Sequence, residues 1–336
     1  MGRMKPETKY ILDALKRFPD TPSLTLAKKI YKEHPKDFES VEAVRSSIRA
    51  YRGQRGDLVR KNITNKEHFK EPGKLNPFNL PEAADENFEP FRIDDTKGLI
   101  ISDLHFPYQH NEAITAAMQY GLKKGVNFIL INGDLLDFAA ISRHEREWRQ
   151  RSPYEEFEAA RQFLRELRKA FPKARIVFKE GNHDERWEKW LYVKAPELFD
   201  DPEFQLEVRL RLGELRMEIV KDRRPIKIGK LNVLHGHEMA GSSGGVNPSR
   251  TTFLKTLDNV LVGHFHRTSN HVEATFGGDI ISVQSMGCLC TLNPYYMRVN
   301  KHNLGFGYIE HDFESGEYHL ENLKVIKDKK GVYKVY

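Results

Sequence analysis

Side chains able to bind metal ions or transfer protons recur directly after short apolar runs of this 336-residue chain. Five groups follow one another: Asp103 and His105; Asp134 and Asp137; Asn182, His183 and Asp184; His235 and His237; His264 and His266. Carboxylate, amide and imidazole donors without thiolate suit Mn, Fe, Zn and similar divalent ions. In Asp103-Leu104-His105 the two donors are two positions apart on extended chain, so both can face one ion. The spacing therefore predicts divalent metal chemistry.

The residues around these groups predict the elements that must position them. Apolar runs and helical periodicity alternate as strand 98–102, helix 111–124, strand 128–132, helix 154–171 and strand 176–179. This βαβαβ order predicts a parallel sheet with right-handed crossovers. From Arg216 onward strand patterns dominate and predict a second, more mixed sheet. Because ligands of open α/β sheets bind beyond the carboxyl ends of strands, the five groups are expected to meet there.

Asp134 points to a pair of ions, and the glycines of the motifs point to sharp turns after the strands. A carboxylate has two oxygens, and Asp134 is placed to bridge two ions with them. The glycines at 133, 181 and 263 are expected to let the backbone turn sharply out of each strand. Mn²⁺ is the first expectation for both ions, with Zn²⁺, Fe or Ni²⁺ as alternatives.

The ordered patterns Asp-x-His, Gly-Asp-x-x-Asp, Gly-Asn-His-Asp, His and Gly-His-x-His resemble the signature of the calcineurin-like metallophosphoesterase superfamily, over residues 98–266. The resemblance implies an α/β fold, a four-layer αββα sandwich over residues 98–336. It assigns three residues to one ion, three to the other and one bridge between them: Asp103, His105 and His266; Asn182, His235 and His264; and Asp134.

The resemblance also implies how the reaction runs. Hydroxide held between the two cations attacks phosphorus in line, His183 faces the scissile phosphate and assists the leaving group, and Asp137 orients His183. In the fourth motif either His235 or His237 can coordinate, and His235 is preferred because it ends the apolar run directly.

The substrate is less well marked. Asp137 is followed by Phe138-Ala139 rather than the Arg-Gly of Ser/Thr protein phosphatases, which argues against that branch. Candidate substrate contacts in or near the motif loops are Arg143, His144, Arg186, Arg250 and Arg267. Since arginine is abundant here, ordinary surface positions are an equal alternative for them. The stretch 241–245 can offer backbone N–H groups to a phosphate, act as a lid, or be a plain surface loop.

The first quarter of the chain is basic and helical. Residues 1–75 hold 18 Lys and Arg against 10 Asp and Glu, whereas the whole chain has a net charge of +6. Three helices are predicted within 7–53, with Ser23 and Ser40 as N-caps and Gly53 as the last stop. The third helix carries a stripe of Arg45, Arg49 and Arg52 and is expected to contact nucleic acid. The domain resembles a helix-turn-helix module; a three-helix docking domain for another protein is the alternative. Residues 76–97, rich in Pro and acidic residues, are expected to be a linker.

Composition excludes several classes of protein. No run approaches the roughly 18 apolar residues of a membrane helix, and the N-terminus lacks the apolar stretch of a signal peptide. The two cysteines, Cys288 and Cys290, exclude a disulfide framework and are expected to be buried reduced thiols. A cytoplasmic location without membrane association is therefore expected.

Together these features predict a dinuclear-metal-dependent phosphodiesterase of DNA, an endonuclease or structure-directed nuclease, with RNA as an alternative substrate. A phosphatase or phosphodiesterase of small molecules, using its N-terminal domain for assembly, is the first rival. The second is a DNA-binding regulator with a degenerate phosphoesterase body. The oligomeric state is left open.

Overall fold

The computed structural model describes residues 5–19, 21–54, 89–142, 151–239, 241 and 244–336. It divides into two compact units, Met1–Glu86 and Asn87–Tyr336. No helix in these ranges is long and apolar enough to cross a membrane.

The described residues of the first unit, 5–19 and 21–54, form three α-helices around a small apolar core. They are α1 (Pro6–Arg17), α2 (Ser23–Glu33) and α3 (Val41–Arg49). Ser40 caps α3 as predicted, its Oγ accepting a hydrogen bond from Ala43 N at 3.1 Å. The predicted cap at Ser23 is wrong: Pro22 is the N-cap, and Ser23 Oγ instead accepts from Arg52. Helical structure also continues beyond the predicted stop at Gly53, as a π-helical turn over Ala50–Gln54.

The described part of the second unit, from residue 89 onward, forms two β-sheets and a further set of helices. Its strands are β1 (Phe91–Arg92), β2 (Lys97–Ile101), β3 (Phe128–Asn132), β4 (Arg175–Lys179), β5 (Met217–Val220), β6 (Ile226–Ile228), β7 (Leu231–Leu234), β8 (Val260–Val262), β9 (Ser269–Ala274), β10 (Ile280–Ser285), β11 (Gly305–His311), β12 (Tyr318–Lys327) and β13 (Tyr333–Val335). Its α-helices are α4 (Asn111–Lys124), α5 (Pro153–Ala170), α6 (Glu185–Lys194), α7 (Leu206–Arg209) and α8 (Pro248–Thr256).

The sheets are built around parallel pairs. In the described ranges, the first has the strand order β13-β12-β11-β2-β3-β4-β5, and β2, β3, β4 and β5 are mutually parallel. The predicted βαβαβ unit is therefore confirmed, while the antiparallel extension by β11 to β13 was not foreseen. The second sheet, β1-β6-β7-β8-β10-β9, is mixed, as predicted.

Alternate side chains of the central strands supply two separate cores. Leu99 and Ile129 pack on the helical side of the first sheet, in a core shared with α4 and α5. Ile100 and Leu130 point to the other face and pack against strands of the second sheet. A third core lies between the second sheet and Phe253 of α8. The result is the expected four-layer arrangement: helices, the first sheet, the second sheet and a helix. Because the central strands are buried on both faces, their sequences are continuous apolar runs.

Part of the predicted linker is built into this unit. Phe91–Arg92 pairs with β6, and Ile93 is buried in the core between the sheets. The prolines and acidic residues around this stretch hide its short apolar pattern. Residues 55–88 lie outside the described residues. Cys288 and Cys290 are free and buried, as predicted.

Candidate metal centre

The candidate metal ligands lie where strand ends of both sheets meet. Asp103, Asp134 and Asn182 follow β2, β3 and β4, while His235 and His264 follow β7 and β8. Strands β2 to β4 are parallel to one another, as are β7 and β8. The polar residues that follow each group of parallel strands therefore lie at one edge of its sheet. The donor atoms of Asp103, His105 and Asp134 lie within 4.8 Å of one another, as do those of Asp134, His235 and His264.

The backbone at the ligands is held in an unusual conformation. Asp103, His105, Asp134, His264 and His266 have φ angles of 56°, 50°, 52°, 64° and 54°. These left-handed conformations cost about 1–2 kcal/mol each for residues other than glycine. Such strain clusters at functional sites, where the surrounding fold enforces it. Here the left-handed backbone conformation directs the side chains of residues at the strand ends toward a common centre.

Close packing explains the glycines around the ligands. A Cβ at Gly133 would lie 2.3 Å from His235 Nδ1, and one at Gly181 would lie 2.2 Å from Asp134 Oδ1. Of the three glycines singled out in the sequence, Gly133 has a positive φ, of 85°, whereas Gly181 and Gly263 do not. At those two positions the requirement is close approach rather than the predicted sharp turn.

One group of donors surrounds Asp103, His105 and His266. His266 Nε2 lies 3.1 Å from Asp103 Oδ1, and His105 Nε2 lies 3.2 Å from His266 Nε2. Ser102 Oγ and the backbone N–H of His264 donate hydrogen bonds to Asp103, which fixes the carboxylate. Asp103 is fully buried, so a cation is the natural partner of its charge.

A second group of donors shares Asp134 with the first. His235 Nε2 lies 3.3 Å from Asp134 Oδ2 and 3.2 Å from Asn182 Oδ1. The same Asp134 Oδ2 lies 3.6 Å from His105 Nε2 in the first group. Asp134 Oδ1 instead accepts a hydrogen bond from the His183 N–H at 2.9 Å. A single carboxylate oxygen is therefore placed to bridge the two groups.

The histidine rings are oriented so that Nε2 carries the free lone pair when the ring is neutral. His235 Nδ1 donates to the Asn132 carbonyl oxygen at 2.8 Å, and His105 Nδ1 lies 3.0 Å from Asp137 Oδ1. Such outer hydrogen bonds fix the tautomer of metal-binding histidines. The donor set, with buried carboxylates and oriented imidazoles, fits divalent transition ions.

The sequence model of the calcineurin-like phosphoesterases matches residues 97–292, more than half of the chain. The chain is a calcineurin-like phosphoesterase. It is therefore a metal-dependent hydrolase. When bound, divalent ions polarise phosphoryl oxygens and activate water for attack on phosphorus.

Individual relatives of this phosphoesterase are distant. The Gene 54 protein of Mycobacterium phage L5 is 25% identical over 181 residues, which cover 50% of this chain and 68% of that protein. Escherichia coli YfcE, a phosphoesterase, is 15% identical with a TM-score of 0.34, over 67% of this chain and 98% of its own. Pseudomonas putida nuclease MPE is 15% identical with a TM-score of 0.31, over 67% and 87% of the two chains. Entamoeba histolytica Vps29, solved with zinc, is 15% identical with a TM-score of 0.36, over 71% and 97%. None of these similarities assigns a substrate.

His183 of the phosphoesterase stands beside the bridging carboxylate. Its Nε2 lies 4.0 Å from Asp134 Oδ2, and its Nδ1 donates to the backbone oxygen of Asp137 at 2.8 Å. The Asp137 carboxylate is shared, since Oδ1 lies 3.0 Å from His105 Nδ1 and 3.3 Å from His183 Nδ1. Arg186 donates to the Asp137 carbonyl at 2.8 Å and places NH2 3.0 Å from His183 Nε2. Asp137 thus orients two histidines, and Arg186 joins the site as a third polar contact of His183.

Burial and neighbouring charges set the protonation of these groups. Burial lowers the pKa of His183 by more than Asp134 raises it, so its imidazole is neutral at pH 7. Burial opposes ionisation of Asp137, but hydrogen bonds from His105 and His183 hold the pKa of that carboxyl far below its usual value. For His235, burial is outweighed by the adjacent Asp134 carboxylate, which raises the imidazole pKa to about 10. Burial lowers the pKa of His264 to about 4.

The remaining predicted substrate contacts are more peripheral. Arg267 directly follows His266 and donates to the Gly245 carbonyl at 2.8 Å, which ties it to the glycine-rich stretch. Arg250 is exposed in the first turn of α8. Arg143 and His144 lie outside the described residues.

His237 lies next to His235, with 5.3 Å between ring centroids, but pairs with a different carboxylate. Its Nε2 lies 2.7 Å from Glu185 Oε1 at the start of α6, whereas His235 faces Asp134 and Asn182. Sequence spacing alone left these two histidines as alternatives. The structure places His235, the residue that directly ends β7, among the candidate ligands.

Sequence reasoning missed Glu238 and gave no role to Asp184, the two carboxyl groups that hold the ligand loops in place. Glu238 accepts hydrogen bonds from the backbone N–H groups of His235 and Gly236, at 2.8 and 2.6 Å, and pairs with the fully buried Lys179 at 3.0 Å. Asp184 accepts from the N–H groups of Leu136 and Gly181, at 3.0 and 2.8 Å. The available signal was an acidic residue two or three positions after the ligand, at Asp184 after Asn182 and at Glu238 after His235.

Proposed function

We propose that the protein is a metal-dependent phosphodiesterase that cleaves nucleic acid, DNA first, as an endonuclease or structure-directed nuclease. The observation that carries the proposal is the presence, in one chain, of a shared-carboxylate metal centre and a strongly basic helical unit. The centre suits attack on a phosphoester, and the basic unit suits a polyanionic substrate.

Two ions are proposed for the centre, with Mn²⁺ as the first expectation. Asp103, His105 and His266 would hold one ion, and Asn182, His235 and His264 the other. Asp134 would join them, because its Oδ2 lies 3.6 Å from His105 Nε2 and 3.3 Å from His235 Nε2.

His183 and Arg186 supply the polar groups for the reacting phosphate. The guanidinium of Arg186 is a permanent positive charge at His183 Nε2, next to the bridging carboxylate. Negative charge grows on the leaving oxygen during phosphodiester cleavage, and oriented donors of this kind stabilise it. We therefore assign Arg186 to the phosphate oxygens and His183 to the leaving group, where the imidazolium form, with a second proton on Nε2, would be the donor.

The predicted arginine stripe runs from α3 into the π-helical turn that follows it, and its members differ in their surroundings. Arg49 is exposed, while Arg45 pairs with Glu42 at 3.1 Å. Arg52 donates to the Pro19 carbonyl at 2.9 Å, to the Thr21 carbonyl and to Ser23 Oγ, and so holds the connection between α1 and α2. Lys28, Lys29 and Lys32 add exposed positive charge on α2.

The proposal is tested by incubating the full chain with Mn²⁺ and single-stranded, duplex, nicked, gapped and flapped DNA, with RNA and bis(4-nitrophenyl) phosphate alongside. We expect cleavage of at least one DNA form, and loss of it in Asp134→Asn. Hydrolysis of the small diester with every DNA and RNA form left intact would instead favour a small-molecule phosphodiesterase. Absence of metal binding and of all hydrolysis would favour a degenerate DNA-binding regulator.

The role of α3 is tested by a matched pair of variants. Arg49→Ala is expected to weaken DNA binding and to lower the salt slope by about one counterion. Arg52→Ala removes internal hydrogen bonds and is expected to raise hydrogen exchange in the connection between α1 and α2. Unchanged DNA affinity and salt slope in Arg49→Ala would remove this helix from the proposed interface.

A further inference from the structure

The loop of residues 291–303 is attached at both ends to the candidate ligand His266. Before the loop, Cys290 Sγ lies 3.8 Å from His266 Nδ1. At the end of the loop, the N–H of Asn303 donates to the His266 carbonyl at 2.9 Å. The loop therefore forms part of the rim of the metal centre.

Internal hydrogen bonds give this loop a defined shape. Asn300 Nδ2 donates to the carbonyl oxygens of Leu292 and Met297, at 2.6 and 2.8 Å. Thr291 donates through both N–H and Oγ1 to the Tyr108 carbonyl, at 2.8 and 2.6 Å. A short helical turn covers Tyr295–Met297. Compact loops with adjacent ends and internal packing are frequent carriers of function.

The outer part of the loop is aromatic and basic, and it is exposed. Tyr295 is 65% exposed, and the guanidinium of Arg298 lies 5.6 Å from its ring centroid. Neither group is buried in the fold, so the loop presents an aromatic ring with a cation beside it. Nucleic-acid-binding proteins stack unpaired bases on such aromatic faces and add cations for the backbone.

The inner part of the loop reaches the metal centre through His302. The His302 ring centroid lies 4.7 Å from that of His266. Its Nδ1 is buried and has no hydrogen-bond partner among the described residues. A buried polar atom without a partner is costly, which points to a polar group of a bound molecule as its complement.

We propose that residues 291–303 form a nucleoside subsite beside the metal centre, where Tyr295 stacks on an unpaired base and Arg298 meets the adjacent backbone. The inference rests on the proposed function, because it requires a nucleic acid substrate. It specifies single-stranded or locally unpaired nucleic acid, since a base within a duplex cannot offer its face to a side chain.

The test compares kinetics of the full chain with Mn²⁺ on a labelled 12-nucleotide oligothymidylate. Tyr295→Ala is expected to raise KM about 5- to 100-fold with little change in kcat, because base stacking on aromatics has that magnitude. Tyr295→Phe keeps the ring and is expected to restore KM. Phe313→Ala is the matched control, an equally exposed aromatic residue (66%) outside the loop.

A second variant and a binding readout keep the outcomes distinct. Arg298→Gln is expected to raise KM and to reduce its salt dependence. Anisotropy with the same oligonucleotide in an Asp134→Asn background measures binding without cleavage. A KM for Tyr295→Ala within twofold of wild type, with wild-type cleavage intact, would overturn the subsite alone. Failure of the wild type to cleave or bind any nucleic acid would overturn the proposed function and the subsite with it.

Discussion

At the scale of single residues, the candidate ligand His235 is expected to couple metal affinity to pH. Its Nε2 faces Asp134 and Asn182, and the adjacent carboxylate raises its pKa to about 10. A cation requires the Nε2 lone pair, so binding must release the proton that this nitrogen holds below pH 10. We expect the Mn²⁺ dissociation constant to rise at least about tenfold for each unit of pH lowered between 8 and 6, because binding releases the His235 proton, and the candidate ligands His105 and His266, whose pKa values are also raised, lose protons as well. Calorimetry in buffers of different ionisation enthalpy measures that proton, and a pH-independent affinity would contradict the assignment.

Arg186 is the residue for which a conservative change is most informative. It donates to the Asp137 carbonyl and contacts His183 Nε2, and its charge helps to lower the His183 pKa. Arg186→Lys keeps the charge but loses the forked geometry, so kcat is expected to fall about 10- to 100-fold. Arg186→Ala is further expected to move the His183-dependent limb of the pH–rate profile to higher pH, because a neighbouring positive charge is gone. Metal content should stay unchanged in both variants, and Arg165→Lys on the exposed side of α5 is the control. An unshifted pH–rate profile in Arg186→Ala would mean that the charge of Arg186 does not affect the pKa of His183.

At the scale of elements, α5 supports the loop of Asp137 and Phe138 through the buried carboxyl group of Glu156. Glu156 of α5 accepts a hydrogen bond from the Phe138 N–H at 2.5 Å, directly after Asp137. Phe138 has a φ of 49° and packs against Phe157 and Trp187, at 5.3 and 5.8 Å between ring centroids. The helix therefore holds a strained backbone segment beside the site.

The same group makes stability depend on pH. Burial raises the pKa of Glu156 to about 8, above its usual 4.5. Its contribution to the free energy of unfolding is complete below pH 4.5 and is lost as pH rises through 8. The reason is that the Glu156 carboxyl group ionises at lower pH in the unfolded chain than in the folded protein. Glu156→Gln is expected to reduce this loss by about 1–3 kcal/mol between pH 5 and 8, measured by urea unfolding. A slope of the same sign remains from Glu180, whose pKa burial raises to about 9. An unchanged slope would mean that Glu156 is ionised in the folded protein.

At the scale of the whole molecule, the features that could be predicted from the sequence are those that depend on consecutive residues. Strand-end motifs, apolar runs and caps such as Ser40 are written in consecutive residues, and the helix Asn111–Lys124 was predicted with the observed bounds. The pairing of β11 with β2 and of Phe91–Arg92 with β6 joins residues far apart in the chain, which no local pattern reports. The ion pair of Lys179 with Glu238, which holds the backbone of His235, also joins residues far apart in the chain.

The division of the chain into two units predicts a division of labour. In the part of the chain that the structure describes, Asn87–Tyr336 builds its own apolar cores, so this unit is expected to fold without residues 1–86. The truncated protein is expected to hydrolyse bis(4-nitrophenyl) phosphate within about threefold of the full chain, since the ligands and His183 all lie in the second unit. Its affinity for duplex DNA should fall about 10- to 100-fold at 0.1 M salt, with a shallower salt slope, because the basic helices release most counterions. Steady-state kinetics and a salt titration of anisotropy measure the two effects on one preparation. A truncated protein with full DNA affinity and slope, but an altered mass in solution, would assign the N-terminal helices to assembly instead.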